Sequence, residues 1–80
     1  LKLYASLQAH LPSNAQRNQA AIEVSDTITL NQLIEHYRIP EAMAHLVLVN
    51  GVFISPHQRG EQGLIKAGDT IAIWPPVAGG

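Results

Sequence analysis

Leu1, Leu3 and Ala5 alternate with Lys2 and Tyr4 at the start of the chain, the two-residue period of a strand with one buried face. A first strand is predicted over residues 1–5. Leu7 and Leu11 then stand four apart, enough for a short helical turn that Pro12 ends, because the residue before a proline is biased away from helix. Ser13 to Gln19 reads as a polar loop, and Ala21, Ile22 and Val24 predict a second strand near residues 20–25. The clearest local signal follows. Thr29 and Gln32 have capping-box spacing, Ile28 and Leu33 have staple spacing, and Leu30, Leu33, Ile34 and Tyr37 recur at i, i+3, i+4 and i+7. A helix over about residues 30–38 is predicted, with that stripe packed into the core.

Ile39-Pro40 stops the helix, and Glu41 to His45 has room for one further turn. Leu46-Val47-Leu48-Val49 is apolar at every position, as expected for a strand covered on both faces or lying inside a sheet. Asn50-Gly51 comes between it and Val52-Phe53-Ile54. Both central residues of a type I′ turn need positive φ, so this pair marks an antiparallel hairpin. Ser55 to Gly63 is polar and turn-rich, and Ala67-Gly68-Asp69 leads into a last strand over Thr70 to Trp74, with Ile71 and Ile73 on one face and Ala72 and Trp74 on the other. The order strand, strand, helix, strand, strand, strand implies an α+β fold, a single mixed sheet packed on one main helix.

Composition narrows the function. The 80 residues are 46% hydrophobic and 14% charged, with a formal net charge of −1. A chain of this size buries only a little over about 60% of its unfolded surface, so one core is expected and a deep, self-contained active site is not. The five basic residues, Lys2, Arg17, Arg38, Arg59 and Lys66, are scattered, which argues against a nucleic-acid footprint. Without cysteine there is no disulfide, thiolate metal site or cysteine nucleophile. His10, His36, His45 and His57 lack ligand spacing, so no metal site is expected. No serine lies in a Gly-x-Ser-x-Gly context, and Gly60-Glu61-Gln62-Gly63 lacks the lysine and spacing of a phosphate loop. Neither an export signal nor a stretch of about 18 apolar residues is present, and a cytoplasmic location is expected. Leu1 stands inside the first predicted strand, which implies further residues upstream.

The end of the chain carries the chemistry. Residues 1–74 read as the folded domain and Pro75-Pro76-Val77-Ala78-Gly79-Gly80 as a projecting tail. The two prolines have no N–H with which to continue a ladder and favour an extended course. Gly79 and Gly80 lack a Cβ, so the backbone can enter a channel too narrow for other residues and present the terminal carboxylate to another protein's catalytic groups. A frayed end is the plainer explanation. At a glycine frequency near 7%, however, two terminal glycines arise by chance in only about one chain in two hundred.

Thr29 leading into a helix with Leu33, Val49-Asn50-Gly51 at the hairpin, Gly68-Asp69 before the last strand and the Pro-Pro-Val-Ala-Gly-Gly tail together resemble the ubiquitin-like β-grasp domains of the MoaD/ThiS sulfur-carrier family. The resemblance spans essentially the whole chain. It implies that a partner, an E1-like activating enzyme, uses ATP to adenylate Gly80, and that a sulfur donor then displaces AMP to leave a thiocarboxylate. ATP would bind that partner, and this chain would hold no cofactor. Pro75, Pro76, Val77, Ala78 and Gly79 would thread the partner's channel. The tail most resembles those of molybdopterin synthase small subunits, which implies a large subunit, or another sulfur-acceptor enzyme, as second partner. The Val49 to Val52 segment equally resembles thiamin-type carriers. A ubiquitin-like modifier that joins Gly80 to lysines, and a plain β-grasp interaction module, remain alternatives.

Phe53 and Trp74 are the candidate partner contacts, since aromatic residues are enriched at interface centres. Phe53, inside an apolar run, fits the core better. Trp74, adjoining the tail on the face opposite Ile71 and Ile73, fits the interface better.

Overall fold

The computed structural model describes residues 1–76. The expected channel residues Val77, Ala78 and Gly79 and the expected reactive Gly80 lie outside the described residues. Four strands, β1 (Lys2–Leu3), β2 (Leu46–Val49), β3 (Val52–Phe53) and β4 (Ile71–Trp74), form one sheet in the order β1, β4, β2, β3. β1 runs parallel to β4, and β2 is antiparallel to both of its neighbours. The helix α1 (Leu30–His36) packs on one face. This is the expected α+β arrangement, a mixed sheet on one main helix.

The capping box that starts α1 is present in full: the Gln32 N–H donates to Thr29 Oγ1 at 3.1 Å, and the Thr29 N–H donates to Gln32 Oε1 at 3.0 Å. Such a cap is worth about 1 kcal/mol. The helix stops at His36, two residues before the predicted end. There the Ile39 N–H reaches Ile34 O at 3.1 Å and the Arg38 N–H reaches Glu35 O at 2.9 Å, a Schellman closure with Arg38 in the left-handed region at φ 58°. Leu30, Leu33 and Ile34 are buried against Leu3, Val47, Val49, Ile71 and Ile73. Each fully buried leucine contributes about 2 kcal/mol relative to exposure. Tyr37, the last residue of the predicted stripe, is half-buried at its edge.

The hairpin forms as predicted, with Asn50 at φ 52° and Gly51 at φ 82°. β1 is shorter than predicted because Ala5, at φ 51°, turns the chain into a 3-10 helix, Ala5–His10, that buries Leu7. Residues 41–43 make the further turn, also 3-10.

The second predicted strand does not form. Residues 18–20 lie antiparallel to β1 instead, with Leu3 N–H to Asn18 O and Ala20 N–H to Leu1 O both at 2.9 Å. Ala20 lies opposite Leu1, and residues 21–25 form no strand. Val24 is left 39% exposed. β2 lies inside the sheet, yet only Val47 and Val49 are buried; Leu46 and Leu48 are half-buried on the other face. That face is where the site lies.

Candidate docking face and the root of the tail

Alternation along the strands sorts every sheet residue onto one of two faces. Leu3, Val47, Val49, Ile71 and Ile73 meet α1, which leaves Tyr4, Leu46, Leu48, Ala72 and Trp74 turned away from it. The register brings these together across three strands: Leu48 lies opposite both Ala72 and Phe53, and Leu46 lies opposite Trp74. Phe53 and Trp74 therefore share one face.

The core assignment of Phe53 is corrected by this register. Opposite Leu48 it faces away from α1, and on an edge strand it has a neighbour on one side only, so it is 51% exposed. Its strand neighbour Val52 is 63% exposed. Trp74 is half-buried because Tyr4 stacks on it, the ring centroids 3.9 Å apart and the planes 8° from parallel. The result is a contiguous apolar surface of aromatic and leucine side chains with the charged Lys2 at its margin, the composition found at protein interaction sites. Tyr4, Leu46 and Leu48 were not singled out from the sequence. Tyr4 is placed here by the parallel pairing of β1 with β4, and Leu46 and Leu48 by the antiparallel pairing of β2 with β4, neither of which periodicity reveals.

β4 ends at the rim of this face. The Trp74 carbonyl accepts from the His45 N–H at 3.1 Å, and the ladder ends there. Pro75 is buried, and Pro76 is exposed. The prolines thus follow the end of β4, beside the stacked rings of Trp74 and Tyr4. Two open grooves, of about 510 and 560 Å³, lie elsewhere, and neither is lined by Tyr4, Phe53 or Trp74. Among the described residues no three His, Asp or Glu side chains come together as a metal site, and no helix is long and apolar enough to cross a membrane.

The two short motifs at the hairpin and before β4 turn out to be one structure. Asn50 Nδ2 donates to Asp69 Oδ1 at 3.0 Å, and Asn50 Oδ1 accepts from the Thr70 N–H at 2.9 Å. The Lys66 N–H donates to Asp69 Oδ2 at 2.8 Å. The Asn50 bond, followed by the Lys66 backbone bond, holds the Asp69 carboxyl below its ordinary range. A depressed carboxyl stabilises the fold above its unfolded value, near 4, and that contribution is lost as pH falls through the folded value. Thermal unfolding from about pH 6 to about pH 3 should therefore show a steeper decline for the parent than for Asp69→Asn. Parallel curves would show that this lock carries no linkage.

Comparison with known proteins identifies the lineage. No match is found among curated proteins or solved structures. The ThiS family model, by contrast, matches residues 3–80, which takes in the sheet, the helix, the hairpin lock and the diglycine end. The chain belongs to the ThiS family of ubiquitin-like, β-grasp sulfur carriers.

Proposed function

We propose that this chain carries sulfur on Gly80 as a thiocarboxylate and delivers it in molybdopterin synthesis, as the small, sulfur-donating subunit of a cytoplasmic molybdopterin synthase. The observation that supports the reading is that the last strand, which the sequence follows with Pro-Pro-Val-Ala-Gly-Gly, ends at the rim of an open apolar face. A partner that grips Tyr4, Phe53 and Trp74 receives the tail in a fixed direction. Docking and reaction then use different residues.

A carboxylate resists attack because it is anionic and resonance-stabilised. A Gly80 carboxylate oxygen attacks the α-phosphorus of ATP held by an E1-like partner, giving the acyl-adenylate and releasing pyrophosphate. Sulfide-level sulfur delivered by a donor attacks the acyl carbon, and AMP leaves with the C–O electron pair, which gives the thiocarboxylate with no change of oxidation state. This group is ionised at neutral pH and nucleophilic, as low-pKa thiolates are. Its sulfur attacks an electrophilic carbon of the acceptor's substrate, and hydrolysis of the resulting acyl–sulfur bond returns the Gly80 carboxylate. The chain supplies first an electrophile and then a nucleophile, while the partners supply ATP binding, acids and bases.

The Val49 to Val52 segment supports delivery to thiamin's thiazole as the second reading. Reconstitution separates the two. Thiocarboxylated chain is offered to a molybdopterin synthase large subunit with its pterin precursor and, separately, to a thiazole-forming enzyme with its substrate. Sulfur transfer to the pterin is expected, and transfer to the thiazole alone would replace this assignment with the second.

A further inference from the structure

Arg59 reads from the sequence as one scattered surface charge, yet it is only 5% exposed. The short 3-10 turn Pro56–Gln58, closed by Ser55 and Gln58, delivers it inward. Its planar fork donates Nε to Ile54 O at 3.3 Å, Nη1 to Ala44 O at 2.8 Å and Nη2 to His45 O at 3.3 Å. The Arg59 carbonyl in turn accepts from the Asn31 N–H at 3.0 Å, in the first turn of α1.

The carbonyls it binds are not ordinary loop groups. Ile54 follows Phe53 at the edge of the docking face, and its N–H bonds to Val47 O at 2.9 Å. Ala44 and His45 lead into Leu46, and the His45 N–H holds the Trp74 carbonyl, the acyl half of the peptide bond that begins the tail. The Arg59 side chain therefore connects the Phe53 edge to the segment that holds the end of β4, while its backbone carbonyl meets the first turn of α1. A buried cation is costly to desolvate, and burial lowers its pKa, with Glu41 partly offsetting this. Apolar replacements of buried charged groups are often neutral or stabilising, so bare stability does not account for an arginine here. Three carbonyls fixed from one rigid plane is something guanidinium provides and ammonium does not.

We propose that Arg59 is a positioning residue for the docking face and for the root of the tail, tying the carbonyls of Ile54, Ala44 and His45 so that Phe53 and Trp74 hold one mutual geometry. The proposal deepens the carrier reading and rests on it for its functional part. Its structural part is tested on the free chain by amide hydrogen exchange, read by NMR in the parent and in Arg59→Met. Protection at His45 and Ile54 should fall about tenfold or more while that of Leu33 and Tyr37 in and at the end of α1 holds, the pattern of local opening. Unchanged exchange at His45 and Ile54, or an equal fall through α1, would overturn the proposal.

The functional part is read from the Kd for the adenylating partner in a double-mutant cycle with Phe53→Ala. Arg59→Met should raise Kd about fivefold in the parent and less than about twofold beside Phe53→Ala, because residues that act through one another are non-additive. Arg59→Lys should behave as Arg59→Met. Equal effects on both backgrounds, or full rescue by lysine, would show that Arg59 does not position the face. If the parent fails to bind the adenylating partner at all, the carrier reading falls, and the exchange experiment still decides whether the clamp exists.

Discussion

Deleting Gly80, or adding one residue after it, is expected to abolish ATP-dependent adenylation and leave the thermal unfolding midpoint unchanged. In the proposed mechanism the reacting carboxylate is that of Gly80, so either change moves it by roughly 3.5 Å, one extended residue. A misplacement of about 1 Å already costs on the order of a hundredfold when reaction depends on a near-attack geometry. Stability is a separate matter, since Pro75 is the last buried residue described and the core cluster ends at Ile73. Adenylation and unfolding should be measured in parallel, and normal adenylation of the extended chain would rule out the terminal-carboxylate mechanism.

The second large effect is on association. Phe53→Ala and Trp74→Ala should each weaken binding of the adenylating partner by about 2 kcal/mol, the scale of an interfacial aromatic, or roughly thirtyfold in Kd. Saturating partner should restore much of the maximal rate, because the proposed mechanism assigns docking to these side chains and reaction to Gly80. The two variants part on stability. Phe53 is half-exposed at an edge, so its truncation should cost less than about 1 kcal/mol. Trp74 loses its stack on Tyr4 and should cost about 1–1.5 kcal/mol more than Phe53. Calorimetric affinity and the unfolding midpoint decide between docking and packing, and unchanged affinity of folded Phe53→Ala would remove that edge from the interface.

What the sequence revealed is what short-range chemistry specifies. The Thr29/Gln32 cap, the Leu30 to Tyr37 stripe and the Asn50-Gly51 turn each close within a few residues, and each was located from spacing alone. The pairing of β1 with β4, by contrast, joins Lys2 to Ala72, and nothing local to either segment selects that partner. The predicted strand at 20–25 failed for a non-local reason too: residues 18–20, and not the apolar positions 21–24, are the ones that pair with β1.

Phe53 shows the limit of hydrophobicity as a guide to burial. An apolar run is buried only where its faces are covered, and β3, at the edge of the sheet, is exposed on both. Arg59 shows the converse, since no spacing announces that a charged residue will turn inward toward three backbone carbonyls. The tail motif and the family resemblance needed no tertiary contact to be read. The apolar face at the end of β4 did.

The carrier role is tested most directly by the intact mass of the chain after incubation with the adenylating partner, ATP and a sulfur donor. The chain should gain the mass of one oxygen replaced by sulfur, located by fragmentation to Gly80 and dependent on ATP. An unmodified mass under conditions where the partner adenylates another carrier, or a branched Gly80–lysine linkage with no free thiocarboxylate, would contradict it.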